Sequence, residues 1–518
     1  MAETIQVNQN LGWISLGSSG MRMRAPGLQG NLIWRPPADH PQFMAGAIAP
    51  GMVAAGPTDI VEKALQEAGL DDQGSLTAPA GAASFAGQPN QIVLDRQIGA
   101  DRIEFAIYRD ESGVISLHRP LPSPPSAALL AAPGDAGTEQ EGAPAPRSFH
   151  YVIPMRHSAT PTGGVPQMAM LGGIAGKVIR FVGRKVTGIA GDAVYAAAKL
   201  WEDHYRPEGF HWGGTPAQLL APNPVPLSDD NWQALQGKQS LLFIHGTISS
   251  TVGGYCGLQN FSQQSGALYA KYENRVIGFN HHTLTKSVPQ NAVDFFSGLK
   301  RPGNYAFDVI SHSRGGLLAR ALKELTPAEL GQLVDPVWTA PAGLNLQIGK
   351  IALVGTPNVG TPLANPTDLP EAVSRLASIA TSFSQDVAAV GLGALFAIFG
   401  GLVETGLGTL PGLEDMNPGN PFLTQLNNAS VDDAPYYGIE ADFHPTGGLA
   451  TAIENNGVDA LFLGVANDLV VPTQGVSEVN GQSLPGTQVD AYPPTANVYH
   501  TDYFYQQGTW DSILGFLL

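Results

Sequence analysis

From about residue 237 onward, short apolar runs alternate with amphipathic ones. Ser240 to Ile244, Arg275 to Phe279, Phe307 to Ile310, Lys350 to Val354 and Ala460 to Val465 are short and rich in Val, Ile, Leu and Phe, which predicts buried strands. Between them, Asn291 to Leu299 and Leu317 to Leu325 read as helices. This alternation predicts βαβ units: a mostly parallel sheet with helices on both faces. Upstream the pattern differs. Arg102 to Pro120 alternates in twos and predicts a hairpin turning at Asp110 to Gly113. A Pro/Ala/Gly-rich stretch to Arg147 reads as a linker or exposed loop. From Gly172 to about Tyr205 the pattern turns helical: Ile174, Val178, Phe181 and Val182 are interleaved with Lys177, Arg180, Arg184 and Lys185. The reading is a basic amphipathic helix, packed on a neighbouring domain or touching a membrane surface. The chain thus divides into an N-terminal domain of mixed or β-rich character (1–120), a linker (121–148), a connecting helical region (149–236) and an α/β domain (237–518).

Composition narrows the classes. The 518 residues are long enough for two or three domains, and 14% charged residues against 43% hydrophobic ones describe a globular chain. A net charge of −17 argues against nucleic acid and against an anionic membrane as partners. Cys256 is the only cysteine, so no intramolecular disulfide is expected, which fits a reducing compartment. The start MAETIQVNQN has an early acid and no apolar h-region, so the expected location is cytoplasmic. Val387 to Val403 is uncharged, but at about 17 residues it stands at the short limit of a membrane span. Its glycines favour a lid or a buried helix, so the expectation is no stable span and at most transient lipid contact.

The chemistry gathers around FDVISHSRGGLLAR, Phe307 to Arg320. A strand-like run ends in Ser313, and a helix-like run follows at once. That order describes a sharp strand-to-helix turn that presents a serine hydroxyl, with small residues needed two positions either side. Those positions are Ser311 and Gly315, so the motif is S-x-S-x-G rather than the usual G-x-S-x-G. Acyl transfer by serine also needs a base, an orienting carboxylate and backbone donors for an oxyanion. His245-Gly246-Thr247 follows the strand SLLFI, where the N–H of Thr247, with that of Arg314, would form an oxyanion hole. His245 itself reads as structural. Asp468 follows the apolar run ALFLGVAN and is the candidate carboxylate, in competition with Asp442, Asp459 and Asp490. His500 closes the order Ser…Asp…His, which His444 would break. No HExxH or clustered Cys/His is evident, so neither a metal nor an organic cofactor is expected.

These residues resemble the lipase/esterase branch of the α/β-hydrolases, and most closely bacterial lipase-like proteins with a strand-HGT-x-SS opening, here FIHGTISST (Phe243 to Thr251). NHHTLTKSVPQNA (Asn280 to Ala292), VGTPNVGTPLA (Val354 to Ala364), NDLVVP (Asn467 to Pro472) and YHTDYF (Tyr499 to Phe504) look like the same group. The resemblance covers roughly residues 237 to 518 and implies an α/β-hydrolase fold with Ser313 as nucleophile, His500 as general base and Asp468 as orienter. Ser311 in place of glycine is the departure, and serine is small enough for the turn. VGTPNVGTPLA reads equally as plain turn chemistry or as a segment beside the site.

Between about 366 and 421 the fold gains an excursion that contains the uncharged run. An apolar insertion there suits a lid over an acyl pocket. The expected activity is therefore serine carboxylester hydrolysis of a small-molecule ester or lipid with a hydrophobic part. The alternatives are a phospholipase, a thioesterase, or an interaction protein built on a hydrolase scaffold. The oligomeric state is not legible.

Overall fold

The computed structural model describes residues 2–7, 12–16, 20–25, 28–36, 71–79, 83–85, 91–98, 102–109, 115–118, 121–122, 147–154, 176–185, 191–300, 302–365, 372–373, 376, 392–429, 435–443, 465–496 and 498–518. Two antiparallel sheets form the N-terminal part. One includes Glu3–Val7, Leu28–Arg35, Asp71–Pro79, Gly176–Lys185 and Arg102–Arg109. The other includes Met21–Arg24, Gln91–Ile98 and Arg147–Pro154. Side chains of both sheets, among them Leu32, Trp34 and Phe181 from the first and Met23, Leu94 and Tyr151 from the second, meet in one core. The expected hairpin is present: Arg102–Arg109 pairs antiparallel with Ile115–His118.

One expectation is corrected. Gly176–Lys185 is a strand, not the first part of a basic helix, and it pairs on both sides with Asp71–Pro79 and Arg102–Arg109. The buried positions Ile179 and Phe181 are two apart, which is the period of a strand. Val178, Ile179 and Val182 also favour a pleated surface with two partners. The β-rich part therefore reaches Lys185, into the stretch expected to be helical. Among the described residues of that stretch, the helix is Gly191–Tyr205.

The second part is built on a seven-stranded sheet: β1 (Gly209–Trp212), β2 (Gln239–Ile244), β3 (Val276–Asn280), β4 (Gly303–His312), β5 (Leu344–Val354), β6 (Tyr436–Ala441) and β7 (Val489–Tyr492). Their order across the sheet is β1-β3-β2-β4-β5-β6-β7, and every neighbouring pair is parallel except β1 with β3. Both faces are covered, as the alternation along each strand shows. Leu242, Ile244, Val309 and Leu353 join a core with helices α2 (Val288–Gly298) and α3 (Arg314–Glu324). Leu241, Phe243, Ile310 and Val354 join a separate core with the C-terminal helix Gln507–Leu517. This is an α/β-hydrolase fold. The anticipated strands at 240–244, 275–279, 307–310 and 350–354 correspond to β2 to β5. Most of the one expected at 460–465 lies outside the described residues, and β6 and β7 were not anticipated.

Helix α1 (Gly191–Tyr205) precedes the sheet, and α4 (Leu392–Thr405) lies within the excursion. Leu395, Ile398, Phe399 and Leu402 of α4 share a core with Val194, Ala198 and Trp201 of α1. Both sets fall at helical spacing, so each helix buries one apolar stripe. Among the described residues no helix is long and apolar enough to cross a membrane, and no group of three or more His, Cys, Asp or Glu could hold a metal ion.

Candidate active site

Ser313 stands between the end of β4 and the start of α3, with φ 53° and ψ −132°. A non-glycine residue in this region stores roughly 1–3 kcal/mol and persists only where its surroundings over-determine it. Several contacts do so. Its N–H donates to Val354 O at 2.8 Å, and its carbonyl accepts from Gly316 N–H at 2.9 Å. The turn also needs close backbone approach. A Cβ on Gly315 would stand 2.4 Å from His245 O, and one on Gly246 would stand 2.7 Å from the Ser313 Cβ. Ser311 is tolerated in the usual glycine position because its hydroxyl donates to Ala352 O on β5 at 2.8 Å.

The structure brings Ser313, His500 and Asp468 into one buried chain of hydrogen bonds. Ser313 Oγ lies 2.9 Å from His500 Nε2, and His500 Nδ1 lies 2.8 Å from Asp468 Oδ2. Their residues are 3%, 2% and 1% exposed, so the chain is shielded from bulk water. With Nδ1–H donating to the carboxylate, Nε2 is left to accept from the serine hydroxyl. Asp468 is fixed by three further donors: Tyr503 OH on Oδ2 at 2.9 Å, and the N–H groups of Val470 and Val471 on Oδ1 at 3.0 and 2.8 Å. His312 Nε2 lies 2.9 Å from His500 O, and burial pushes the His312 imidazole well below the usual histidine range. It stays neutral and braces the His500 backbone.

Of the competing acids, Asp490 is engaged by the Ser512 hydroxyl. Asp459 and His444 lie outside the described residues. Tyr503 is the partner that the sequence reading missed. It sits within YHTDYF, but nothing in that segment says which way its hydroxyl points.

Arg314 follows Ser313 in the chain, and Thr247 lines the same pocket as Ser313. Arg314 opens α3, and the first N–H groups of a helix have no partner within it. Thr247 follows Gly246 in a turn closed by Ser249 N–H on Gly246 O at 3.3 Å, which leaves the Thr247 N–H outside that bond. His245 is fully buried, and burial lowers its imidazole to about 3. The Arg314 side chain is fully buried as well. It donates to Gly412 O, Lys286 O and Asn291 Oδ1, and it lies 3.5 Å from Asp415 Oδ2. Burial outweighs this pairing for both groups: the guanidinium is lowered, and the Asp415 carboxyl is pushed up to about 6.

Ser313 and His500 open on a pocket whose apolar wall is Leu363, Ala364, Leu376, Leu413, Met416 and Val470, with Thr247 and Thr361 beside them. Leu363 and Ala364 end VGTPNVGTPLA, which therefore stands beside the site. Leu376, Leu413 and Met416 come from the excursion.

A family model described as a domain of unknown function (DUF7379) matches residues 215–518. No curated protein matches the chain. Among solved structures, a lipase from Bacillus licheniformis is 15% identical, with 57% of this chain and 95% of that one covered and a TM-score of 0.30. Lipase 1 from Pelosinus fermentans is 14% identical over 54% of this chain and 97% of that one, with a TM-score of 0.35. A carboxylesterase from Bacillus subtilis is 10% identical over 63% and 98%, with a TM-score of 0.31.

Proposed function

The chain belongs to the DUF7379 family of unknown function, and from that premise we propose that it is a serine carboxylester hydrolase acting on esters with a hydrophobic acyl or alcohol part. The observation that carries this reading is the strained Ser313, one hydrogen bond from a histidine held by a buried carboxylate, beside an apolar pocket. Ser313 Oγ attacks the ester carbonyl while its proton passes to His500 Nε2. The oxyanion accepts from the N–H groups of Thr247 and Arg314. His500 then gives its proton to the leaving alcohol, and the acyl group remains on Ser313 as an ester. Water attacks that ester, loses a proton to His500, and the acid leaves as the serine hydroxyl is restored. Asp468 holds the productive tautomer and offsets the imidazolium charge.

The excursion acts as a lid or cap in this reading. Leu376, Leu413 and Met416 give the pocket an apolar wall, which suits an acyl chain better than a charged group. The test is turnover of p-nitrophenyl esters of graded chain length by wild type and Ser313→Ala, with a fluorophosphonate probe alongside. Wild type should release nitrophenol and be labelled, and Ser313→Ala should do neither. Absence of both turnover and labelling in wild type would sink the proposal.

A further inference from the structure

The proposed oxyanion donor at Thr247 is held by a loop that a carboxylate outside the family match organises. The N–H of Thr247 shares a peptide plane with Gly246 O, so whatever fixes that carbonyl aims the N–H. Gly246 O accepts from His245 Nδ1–H at 2.9 Å, and His245 Nε2 accepts from His281 N–H at 3.1 Å. The next peptide plane is fixed as well. Ile248 has φ 63°, a costly conformation for a β-branched residue. Its N–H donates to Thr283 Oγ1 at 2.8 Å. Both planes around Thr247 are thus anchored on the loop after β3, through His281 and Thr283.

That loop converges on Glu202 of α1. The N–H groups of Thr283, Leu284 and Thr285 donate to its carboxylate at 2.5, 2.8 and 2.9 Å, and the Thr285 hydroxyl adds a fourth bond at 2.6 Å. Glu202 is fully buried on a helix whose neighbouring buried residues are apolar. Successive N–H groups aimed at one point form a concavity suited to an anion. A neutral amide could satisfy only the donors that meet its carbonyl oxygen.

We infer that Glu202 is a positioning residue for the oxyanion donor at Thr247, acting through Thr283. The inference rests on the esterase reading. It also gives α1, which precedes the matched residues, a part in the site.

The test uses the full chain and steady-state hydrolysis of p-nitrophenyl butyrate. Thr283→Val removes the acceptor for Ile248 N–H at nearly constant shape, and Thr283→Ser restores it. Displacing a preorganised donor costs about 10–100-fold. That loss is expected in kcat for Thr283→Val, with KM within about twofold of wild type, and Thr283→Ser should recover most of it. Glu202→Gln should lower kcat in the same way, and Glu202→Asp serves if the amide variant does not fold. Because both residues act along one path, the double variant should be no worse than the weaker single. Wild-type kcat in Thr283→Val, a loss confined to KM, no rescue by serine, or losses that multiply in the double variant would each overturn the inference. Failure of the esterase reading itself is distinct: wild type would then neither turn over the ester nor take the fluorophosphonate label, and the inference would fall with it.

Discussion

Asp468→Asn keeps the shape of the side chain and removes its capacity to accept on both sides. The N–H groups of Val470 and Val471 point at Oδ1, while His500 Nδ1 and Tyr503 OH meet Oδ2. Backbone donors cannot turn away, so the amide carbonyl must take the Oδ1 side and the NH₂ must face His500. Nδ1 then has to accept, the ring proton moves to Nε2, and Nε2–H points at Ser313 Oγ 2.9 Å away. An imidazole in that tautomer cannot take the serine proton. The flipped amide would restore the tautomer but leave two buried N–H groups facing NH₂, at about 1–3 kcal/mol each. The productive state is then populated at roughly one part in 10² to 10⁴, a range that includes the ~10⁴-fold loss for the same change in the template Ser-His-Asp protease. The expected result is a kcat lowered by about 10²–10⁴-fold with KM little changed, measured on p-nitrophenyl butyrate with active-site titration to exclude wild-type carry-over. If the variant keeps more than about a tenth of wild-type kcat, the argument from fixed donors fails.

Two further outcomes follow from the pocket and from the buried histidines. Leu413→Trp should fill the apolar wall, so kcat/KM should fall by about tenfold for each added pair of methylenes relative to the acetyl ester, at ~0.8 kcal/mol per unsheltered methylene; an unchanged chain-length profile would refute the acyl assignment. His211, 2% exposed, has its pKa lowered by burial from 6.5 to about 4. The unfolded chain therefore takes up the proton first, and stability is lost as pH falls from about 6.5 toward 4. That displacement corresponds to about 3 kcal/mol, so urea midpoints of His211→Gln relative to wild type should rise across that window. A difference that does not vary with pH would contradict it.

Much of the α/β part was legible because its central strands are buried on both faces. A strand such as β2 then appears as an unbroken apolar run, and its two cores emerge only in the fold. The less regular pieces were harder. Within β6, Gly438 interrupts the pattern, and β7 is only partly buried, so neither stands out from its surroundings. Gly176–Lys185 was misread because Val178, Phe181 and Val182 satisfy helical spacing while Ile179 and Phe181 satisfy strand spacing; pairing on both edges decided between them.

At the candidate site, chain order pointed to Ser313, Asp468 and His500 because strand ends and motif residues are local features. The supports are not local. Tyr503 meets Asp468 across 35 residues, and Glu202 meets Thr283 across 81. One trace of Glu202 does exist in the sequence. In α1 the buried positions are Val194, Ala198, Trp201 and Glu202, so an acid occupies the position four after Ala198 on an apolar stripe. Burying a carboxylate without partners costs several kcal/mol. An acid on such a stripe therefore implies that donors from elsewhere in the chain must meet it. The sequence can state that requirement but cannot say which loop fulfils it. In the fold it is the loop after β3, whose other contacts orient the turn at Thr247, so the misplaced-looking acid of α1 and the HGT turn of β2 belong to one network.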